Sequence, residues 1–156
     1  MTPAVRDLDD RGCAYRLLEY EQGAAGGRDV GLAAAAALSL PAEQVFKTLV
    51  AELAGGELVV AIIPVAAKLN LKRLARASGA KTATLAEPKA AERATGYVTG
   101  GISPLGQKRR HRTFLAEEAG SLDLIYVSAG KRGLELELAP TDLMEATGAC
   151  LSPLVA

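Results

Sequence analysis

The sequence is poor in the residue types that most often carry enzyme chemistry. Its 156 residues include two cysteines and one histidine. Cys13 and Cys150 form no CxxC motif and are too few for a disulfide framework, and one histidine does not complete a zinc site. His111 lies in the basic run Lys-Arg-Arg-His-Arg, which disfavours a Ser-His-Asp or Cys-His triad. We therefore expect no structural metal.

Aromatic residues and long apolar runs are also scarce. With two Phe, four Tyr and no Trp, the core must be aliphatic, and a single-strand nucleic-acid binder built on aromatic platforms is disfavoured. The longest apolar stretches, Gly31–Leu38 and Leu58–Ala67, fall short of the ~20 residues that a membrane span needs. The charged N-terminal segment lacks the apolar core of a signal peptide. We therefore expect a cytosolic protein.

The charges balance overall but are unevenly distributed. Eighteen basic and eighteen acidic residues give a net charge of zero, whereas segment 68–112 holds eleven basic residues against Glu87 and Glu92. This segment carries +9 and the remainder −9. Such a distribution favours a face for a polyanion. The alternative is a set of solvated helix faces without a partner.

The apolar patterns predict one α+β domain over residues 1–156, with a mixed sheet or a partly closed barrel. Helices are predicted over Pro3–Gly12, Gly31–Leu40, Leu69–Ser78, Ala86–Ala94 and from Pro140 onward, with a further helical turn from Pro41. Strands are predicted over Cys13–Tyr20, Val45–Leu53, Glu57–Pro64, Arg112–Leu115, Leu122–Val127 and Leu134–Leu138. The second and third strands read as a central hairpin. Glu21–Gly27 reads as a flexible loop.

Three features could carry chemistry. Lys47 shares a strand face with apolar neighbours, where a desolvated lysine can serve as an anion clamp or, when its pKa falls, as a base or Schiff-base nucleophile. The alternative is a frayed strand edge that places Lys47 in solvent. The loop Thr99–Gln107 is rich in glycine, so its N–H groups could face an oxyanion or a phosphate; ordinary turns are the alternative. The turn Ser128–Gly133 could present Ser128 to an anion, or could be a hairpin turn without a function.

Three stretches together resemble a known family. They are Val45-Phe-Lys-Thr-Leu, Thr95-Gly-Tyr-Val-Thr-Gly-Gly-Ile-Ser-Pro-Leu-Gly-Gln-Lys and Ile125-Tyr-Val-Ser-Ala-Gly-Lys-Arg-Gly-Leu-Glu-Leu-Glu-Leu. In this order they resemble the YbaK/EbsC aminoacyl-tRNA deacylases, which are related to the editing domain of bacterial prolyl-tRNA synthetases. The resemblance runs from Met1 to about Leu143 and is greatest with the Cys-tRNA(Pro) deacylase branch.

The resemblance implies a fold, an activity and a set of site residues. It implies a compact α/β domain that hydrolyses the ester of a mischarged tRNA without metal or cofactor. Lys47 would hold the terminal phosphate or ribose, and the amides of Gly100 and Gly101 would face the ester carbonyl. The substrate-binding residues implied are Tyr20, Ile102, Ser103, Ser128 and Glu135. Glu135 stands where relatives commonly have Asp, so its carboxyl lies one methylene further out.

The resemblance also implies a mechanism and a partner. In the chemistry proposed for this family, the cysteine thiol of the substrate attacks its own ester, so the protein supplies orientation and oxyanion stabilisation. The aminoacylated acceptor end of tRNA would be the ligand, with prolyl-tRNA synthetase as a partner that reads tRNA identity. Deacylation of Ala-tRNA(Pro) and a non-catalytic tRNA- or nucleotide-binding module are the alternatives.

Overall fold

The computed structural model describes residues 1–21 and 30–156. The predicted loop Glu21–Gly27 therefore lies, apart from Glu21, outside the described residues. The helices are α1 (Pro3–Arg11), α2 (Val30–Ala37), α3 (Leu71–Ser78), α4 (Pro88–Thr95) and α5 (Pro140–Thr147), with 3-10 turns at Ala42–Gln44 and Glu117–Ser121. The strands are β1 (Arg16–Glu19), β2 (Phe46–Leu53), β3 (Leu58–Pro64), β4 (Ala83–Leu85), β5 (Thr113–Ala116), β6 (Ile125–Ser128), β7 (Leu134–Leu138) and β8 (Cys150–Ser152).

The larger sheet is mixed, as the sequence predicts. Its strand order is β4-β2-β3-β5-β8. β2 and β3 form the predicted antiparallel hairpin, with Lys47 opposite Ile63, whereas β5 runs parallel to both β3 and β8. The residues Val59 to Ile63 of β3 have no exposed surface. This central strand therefore forms the middle of the core, which is aliphatic as expected.

The smaller sheet is antiparallel and has the order β1-β7-β6. It meets the larger sheet at a single parallel bridge between Val45 and Tyr126. Within residues 1–21 and 30–156 the strands thus form two sheets and do not close into a barrel. The mixed-sheet prediction is confirmed, and the partly closed barrel is not formed.

Three element predictions need correction. The structure has short strands β4 and β8, which the sequence analysis missed. The predicted strand Leu122–Val127 begins only at Ile125, after the 3-10 turn Glu117–Ser121. The predicted strand Cys13–Tyr20 is confined to Arg16–Glu19, and Cys13 packs against the core between α1 and β1. These differences arise because tertiary pairing, and not local pattern, decides where short strands begin.

The arrangement leaves part of β2 uncovered. β4 pairs only with Ala51, Glu52 and Leu53 at the far end of β2. Beyond that pairing, the N–H of Ala86 donates to the carbonyl of Val50 at 3.0 Å, and the chain then turns into α4. The stretch Phe46–Leu49 consequently borders a gap between the two sheets, and this gap forms the candidate site.

No helix in the described part of the chain is both long enough and apolar enough to cross a membrane.

Candidate active site

A cavity of about 350 Å³ lies at the uncovered edge of β2. We call it the edge cavity. Its walls come from α2, β2, the segment from β4 to α4, the glycine-rich loop after α4, and the β6–β7 hairpin. The polar side chains and glycine-loop residues of its lining are Lys47, Thr48, Thr99, Gly100, Ser128, Arg132 and Glu135. Much of the remaining lining is aliphatic, including Val30, Leu32, Leu49, Val65, Leu85 and Ile102.

Lys47 lies in a wall of the edge cavity. It belongs to the ordered ladder between β2 and β3, and it is half-buried. Its neighbour Val45 is only 1% exposed, in a small apolar cluster with Ala35, Val65 and Tyr126. The structure therefore favours the clamp interpretation of Lys47 over a frayed edge in solvent. A cation in this position can hold an anion that enters the cavity.

The glycine loop is fitted closely against the turn between β6 and β7. Gly100 has φ +90°, and a Cβ there would lie 2.6 Å from Nη2 and 2.7 Å from Cζ of Arg132. A Cβ on Gly101 would lie 3.0 Å from the backbone nitrogen of Arg132. Nη2 of Arg132 donates to the carbonyl of Thr99 at 3.2 Å. The two glycines thus permit close packing of loop and turn, which fixes this side of the cavity.

The two glycines do not play equal parts in the cavity. Gly100 lines it, whereas Gly101 is buried outside the lining. The N–H of Gly101 donates to the carbonyl of Val98 at 2.8 Å. The expectation that the Gly101 amide faces the ester carbonyl does not fit this geometry, because that N–H already closes a turn. Gly100 is the better candidate for an oxyanion donor.

Ser103 does not reach the cavity either. It is fully buried, and its Oγ accepts a hydrogen bond from the N–H of Leu105 at 3.2 Å. Its carbonyl accepts from Nε2 of Gln107 at 3.0 Å. Ser103 therefore shapes the loop and does not have the expected substrate-binding role. Ile102, in contrast, lines the cavity as expected.

Ser128 and Glu135 are neighbours on adjacent strands of the smaller sheet. They are cross-strand partners in the ladder between β6 and β7, and both line the edge cavity. Oγ of Ser128 accepts a hydrogen bond from the N–H of Gly130 at 3.1 Å. Glu135 is 5% exposed, and burial raises its pKa to about 8. Its carboxyl is therefore mostly protonated at pH 7.

Tyr20 lies behind this wall and not in the lining. Its backbone N–H donates to the carbonyl of Gly133 at 2.9 Å, at the end of β1. Burial has the largest effect on the Tyr20 phenol and raises its pKa. The backbone amide of Gly133 and the charge of Arg132 lower this pKa, whereas Glu135 raises it. Tyr20 is thus close to two cavity residues, but it does not line the cavity as the expected substrate-binding role requires.

Sequence reasoning missed Thr48 and Arg132 as lining residues. Oγ1 of Thr48 is buried and has no hydrogen-bond partner within residues 1–21 and 30–156. The basic turn Ser128–Gly133 was a candidate, but its pattern does not show that Arg132 reaches back to Thr99. The sequence feature that could have indicated Thr48 is a hydroxyl-bearing residue next to Lys47 in an otherwise apolar strand.

Comparison with known proteins settles the family. A model of the aminoacyl-tRNA editing domain matches residues 25–146. The chain belongs to the aminoacyl-tRNA editing domain family. This editing domain is 40% identical over 146 residues to the "Putative Cys-tRNA(Pro)/Cys-tRNA(Cys) deacylase EbsC" of Enterococcus faecalis (strain ATCC 700802 / V583), covering 94% of this chain and 88% of that protein. The resemblance predicted from the three sequence stretches is confirmed.

Solved structures share the fold of the editing domain. Hypothetical protein APE2540 superposes with a TM-score of 0.88 at 26% identity, covering 99% of this chain and 100% of the other. A structure described as "a putative trans-editing enzyme for prolyl tRNA synthetase" superposes with a TM-score of 0.85 at 22% identity, covering 100% of this chain and 99% of the other. These superpositions confirm the predicted α+β architecture over nearly the whole chain.

Proposed function

We propose that this editing domain hydrolyses the ester bond of a mischarged tRNA, with cysteine on tRNA(Pro) as its substrate. Membership of the editing family supports the reaction class, and 40% identity to a protein named as a Cys-tRNA(Pro)/Cys-tRNA(Cys) deacylase supports the substrate. The structural observation that carries the proposal is the edge cavity. It brings a half-buried lysine, a glycine-loop backbone and a buried carboxyl together in one small space.

The cavity supports catalysis by positioning. Lys47 holds the terminal phosphate or ribose, and the N–H of Gly100 stabilises the negative charge that develops on the ester carbonyl oxygen. Holding the reacting groups in place lowers the barrier because the orientation entropy has been lost on binding. The protein then needs no nucleophile of its own.

The nucleophile in this proposal is the thiol of the substrate. Its sulfur attacks the ester carbonyl carbon, a carbon–sulfur bond forms, and the bond to the ribose oxygen breaks. The ribose oxygen takes up the thiol proton, which frees the tRNA. Water then opens the cyclic thioester to give cysteine. Packing against one side-chain group distinguishes two amino acids by only ~1–3 kcal/mol. A reaction that needs the thiol of the substrate explains how a small cavity can select cysteine more strongly than that.

The tRNA would lie over the basic face of α3. Lys72, Arg73 and Arg76 are exposed on this helix, which packs beside β4. Arg112, counted in the same basic segment, instead forms two hydrogen bonds with Glu57 at 2.8 and 2.9 Å. We therefore assign the tRNA contact to the exposed cations of α3 and not to Arg112. Because so small a surface can hardly identify a tRNA, we propose prolyl-tRNA synthetase as a partner and the cytoplasm as the location.

Hydrolysis of five charged tRNAs tests the proposal. Cys-, Ala-, Pro- and Ser-tRNA(Pro) are incubated with the protein at low salt, together with tRNA(Pro) carrying S-methylcysteine. We expect the protein to release cysteine rapidly and none of the other amino acids. S-methylcysteine should stay attached because its sulfur carries no proton to transfer to the ribose oxygen. Loss of alanine instead would indicate an Ala-tRNA(Pro) deacylase. No loss of any amino acid would contradict the proposal and favour a tRNA- or nucleotide-binding module.

A further inference from the structure

Two polar atoms in the edge cavity have no partner within the protein. They are Oε2 of Glu135 and Oγ1 of Thr48, and no described group forms a hydrogen bond with either. Both residues line the cavity, from opposite walls: Glu135 from β7 of the smaller sheet and Thr48 from β2 of the larger one. Leaving a buried polar atom without a partner costs about 1–3 kcal/mol. Two such atoms at one cavity indicate that a ligand satisfies them.

A ligand with hydrogen-bond donors can satisfy both atoms. When ionised, the Glu135 carboxylate accepts only, and the Thr48 hydroxyl accepts through two lone pairs as well as donating one hydrogen. An ammonium group carries three N–H donors and no acceptor, and its charge favours the ionised form of a neighbouring carboxyl. On a charged tRNA the α-ammonium of the amino acid is such a group, and it lies next to the ester that this domain is proposed to cleave.

The charges around the cavity match the charges of such a ligand. Among the described residues that line the cavity, Lys47 and Arg132 are basic and Glu135 is acidic. The end of a charged tRNA is anionic at the phosphate and cationic at the amino acid. A buried carboxyl provides a favourable contact for the cationic part in surroundings that otherwise favour the anionic part.

We infer that Glu135 and Thr48 receive the α-ammonium group of the amino acid carried by the tRNA. This inference rests on the proposed function and adds to it the group of the substrate that these residues recognise. The contact selects amino acids with a free amine and rejects N-blocked ones.

Binding must change the protonation of Glu135. The pKa of Glu135 is about 8, so its carboxyl is mostly neutral at pH 7. An ammonium beside it favours the ionised form, and the proton leaves to solvent. The charged and titratable groups on the surrounding elements are Lys47 of β2, Arg132 of the β6–β7 turn, Tyr20 after β1, and Glu137 on β7. Glu137 is held by Arg16 and Tyr126 at 2.8 and 2.7 Å, which fixes its charge.

A ligand without an ester tests the inference separately from hydrolysis. The probe is 3′-cysteinylamino-3′-deoxyadenosine, whose amide is stable, and its N-acetyl form is the matched ligand without a cationic amine. Titration calorimetry at pH 7 in buffers of different ionisation heat gives the dissociation constant and the number of protons released. The proteins are wild type, Glu135→Gln, Thr48→Val and the control Glu137→Gln.

We expect the wild type to bind the free amine roughly tenfold or more tightly than the N-acetyl probe, with release of most of one proton. Glu135→Gln should lower this ratio towards one and abolish the proton release. Thr48→Val should lower the ratio by a smaller factor. Glu137→Gln, on the same strand, should retain both the ratio and the proton release.

Three results would overturn the inference: no preference in the wild type, a preference that survives Glu135→Gln, or an equal loss in Glu137→Gln. If the protein hydrolyses no charged tRNA and still shows the Glu135-dependent preference, the proposed function fails and the amine site stands. If it hydrolyses Cys-tRNA(Pro) without this preference, the amine site fails and the proposed function stands.

Discussion

Glu135 makes the stability of the protein depend on pH. Its pKa is about 8 in the folded state, against an ordinary value of 4.5. Between these values the folded state binds more protons than the unfolded state, so stability decreases as pH rises. The loss is complete above about pH 8, where the buried carboxyl is ionised in both states.

The Glu135→Gln variant tests this dependence. Its free energy of unfolding should lack the decrease between pH 5 and pH 9, which for the wild type is on the order of 3–5 kcal/mol from this residue. The measurement is urea unfolding at both pH values for the two proteins, with Glu137→Gln as the control. An equal decrease in wild type and Glu135→Gln would show that another group causes it.

Gly100 is a second residue whose substitution has a definite expected effect. Gly100→Ala places a Cβ against the Arg132 guanidinium and forces an alanine to adopt φ +90°. Both effects should displace the loop, so we expect the rate of deacylation to fall roughly tenfold or more. In an Arg132→Ala background the collision is removed, and the further loss should be smaller. Rates of the two single variants and the double variant give the coupling, and strict additivity would contradict the packing described here.

The site residues show what sequence can and cannot predict. Lys47, Gly100, Ile102, Ser128 and Glu135 were expected and do line the edge cavity. Gly101 and Ser103 were expected as well, yet they shape the loop. A sequence does not distinguish a glycine that approaches a ligand from one that packs against an arginine. Thr48 was missed because the pattern showed a hydroxyl in a strand but not its missing partner.

At the scale of elements, local pattern predicts the long segments and tertiary pairing decides the short ones. The β2–β3 hairpin and α3 follow from apolar alternation and helical spacing, and β7 matches its predicted bounds. β4 and β8 have three residues each, too few for a pattern, and they exist because they extend the larger sheet beside β2 and β5. Whether the strands form one barrel or two sheets depends on pairings that no single segment contains.

The loop and turn around Arg132 form a further testable element. Arg132→Ala removes the hydrogen bond to Thr99, so the glycine loop should lose its fixed position beside the cavity. We expect kcat to fall roughly tenfold with little change in global stability, because Arg132 is exposed. Deacylation kinetics and thermal unfolding measure the two effects. A loss of activity that only follows a lower Tm would contradict a positioning role.

At the scale of the whole molecule, the uneven charge should appear as salt dependence of tRNA binding. Replacing Lys72, Arg73 and Arg76 together by alanine removes three exposed cations from α3. The KM for charged tRNA should rise and its dependence on salt should weaken, because fewer counterions are released on binding. Steady-state rates at several salt concentrations measure both.

Arg112→Ala is the contrasting variant for this measurement. Its side chain is paired with Glu57, so its loss should lower Tm slightly and leave the salt dependence unchanged. If Arg112→Ala weakened the salt dependence as much as the α3 variant, the basic face would not centre on α3.

The central claim is that the edge cavity deacylates Cys-tRNA(Pro) and that Lys47 holds the substrate there. The most direct measurement is the rate of cysteine release from Cys-tRNA(Pro) at low salt by wild type, Lys47→Ala and the exposed control Lys68→Ala. We predict that Lys47→Ala lowers kcat/KM roughly 100-fold while remaining folded, and that Lys68→Ala stays near the wild-type value. Full activity of a folded Lys47→Ala protein would contradict the account.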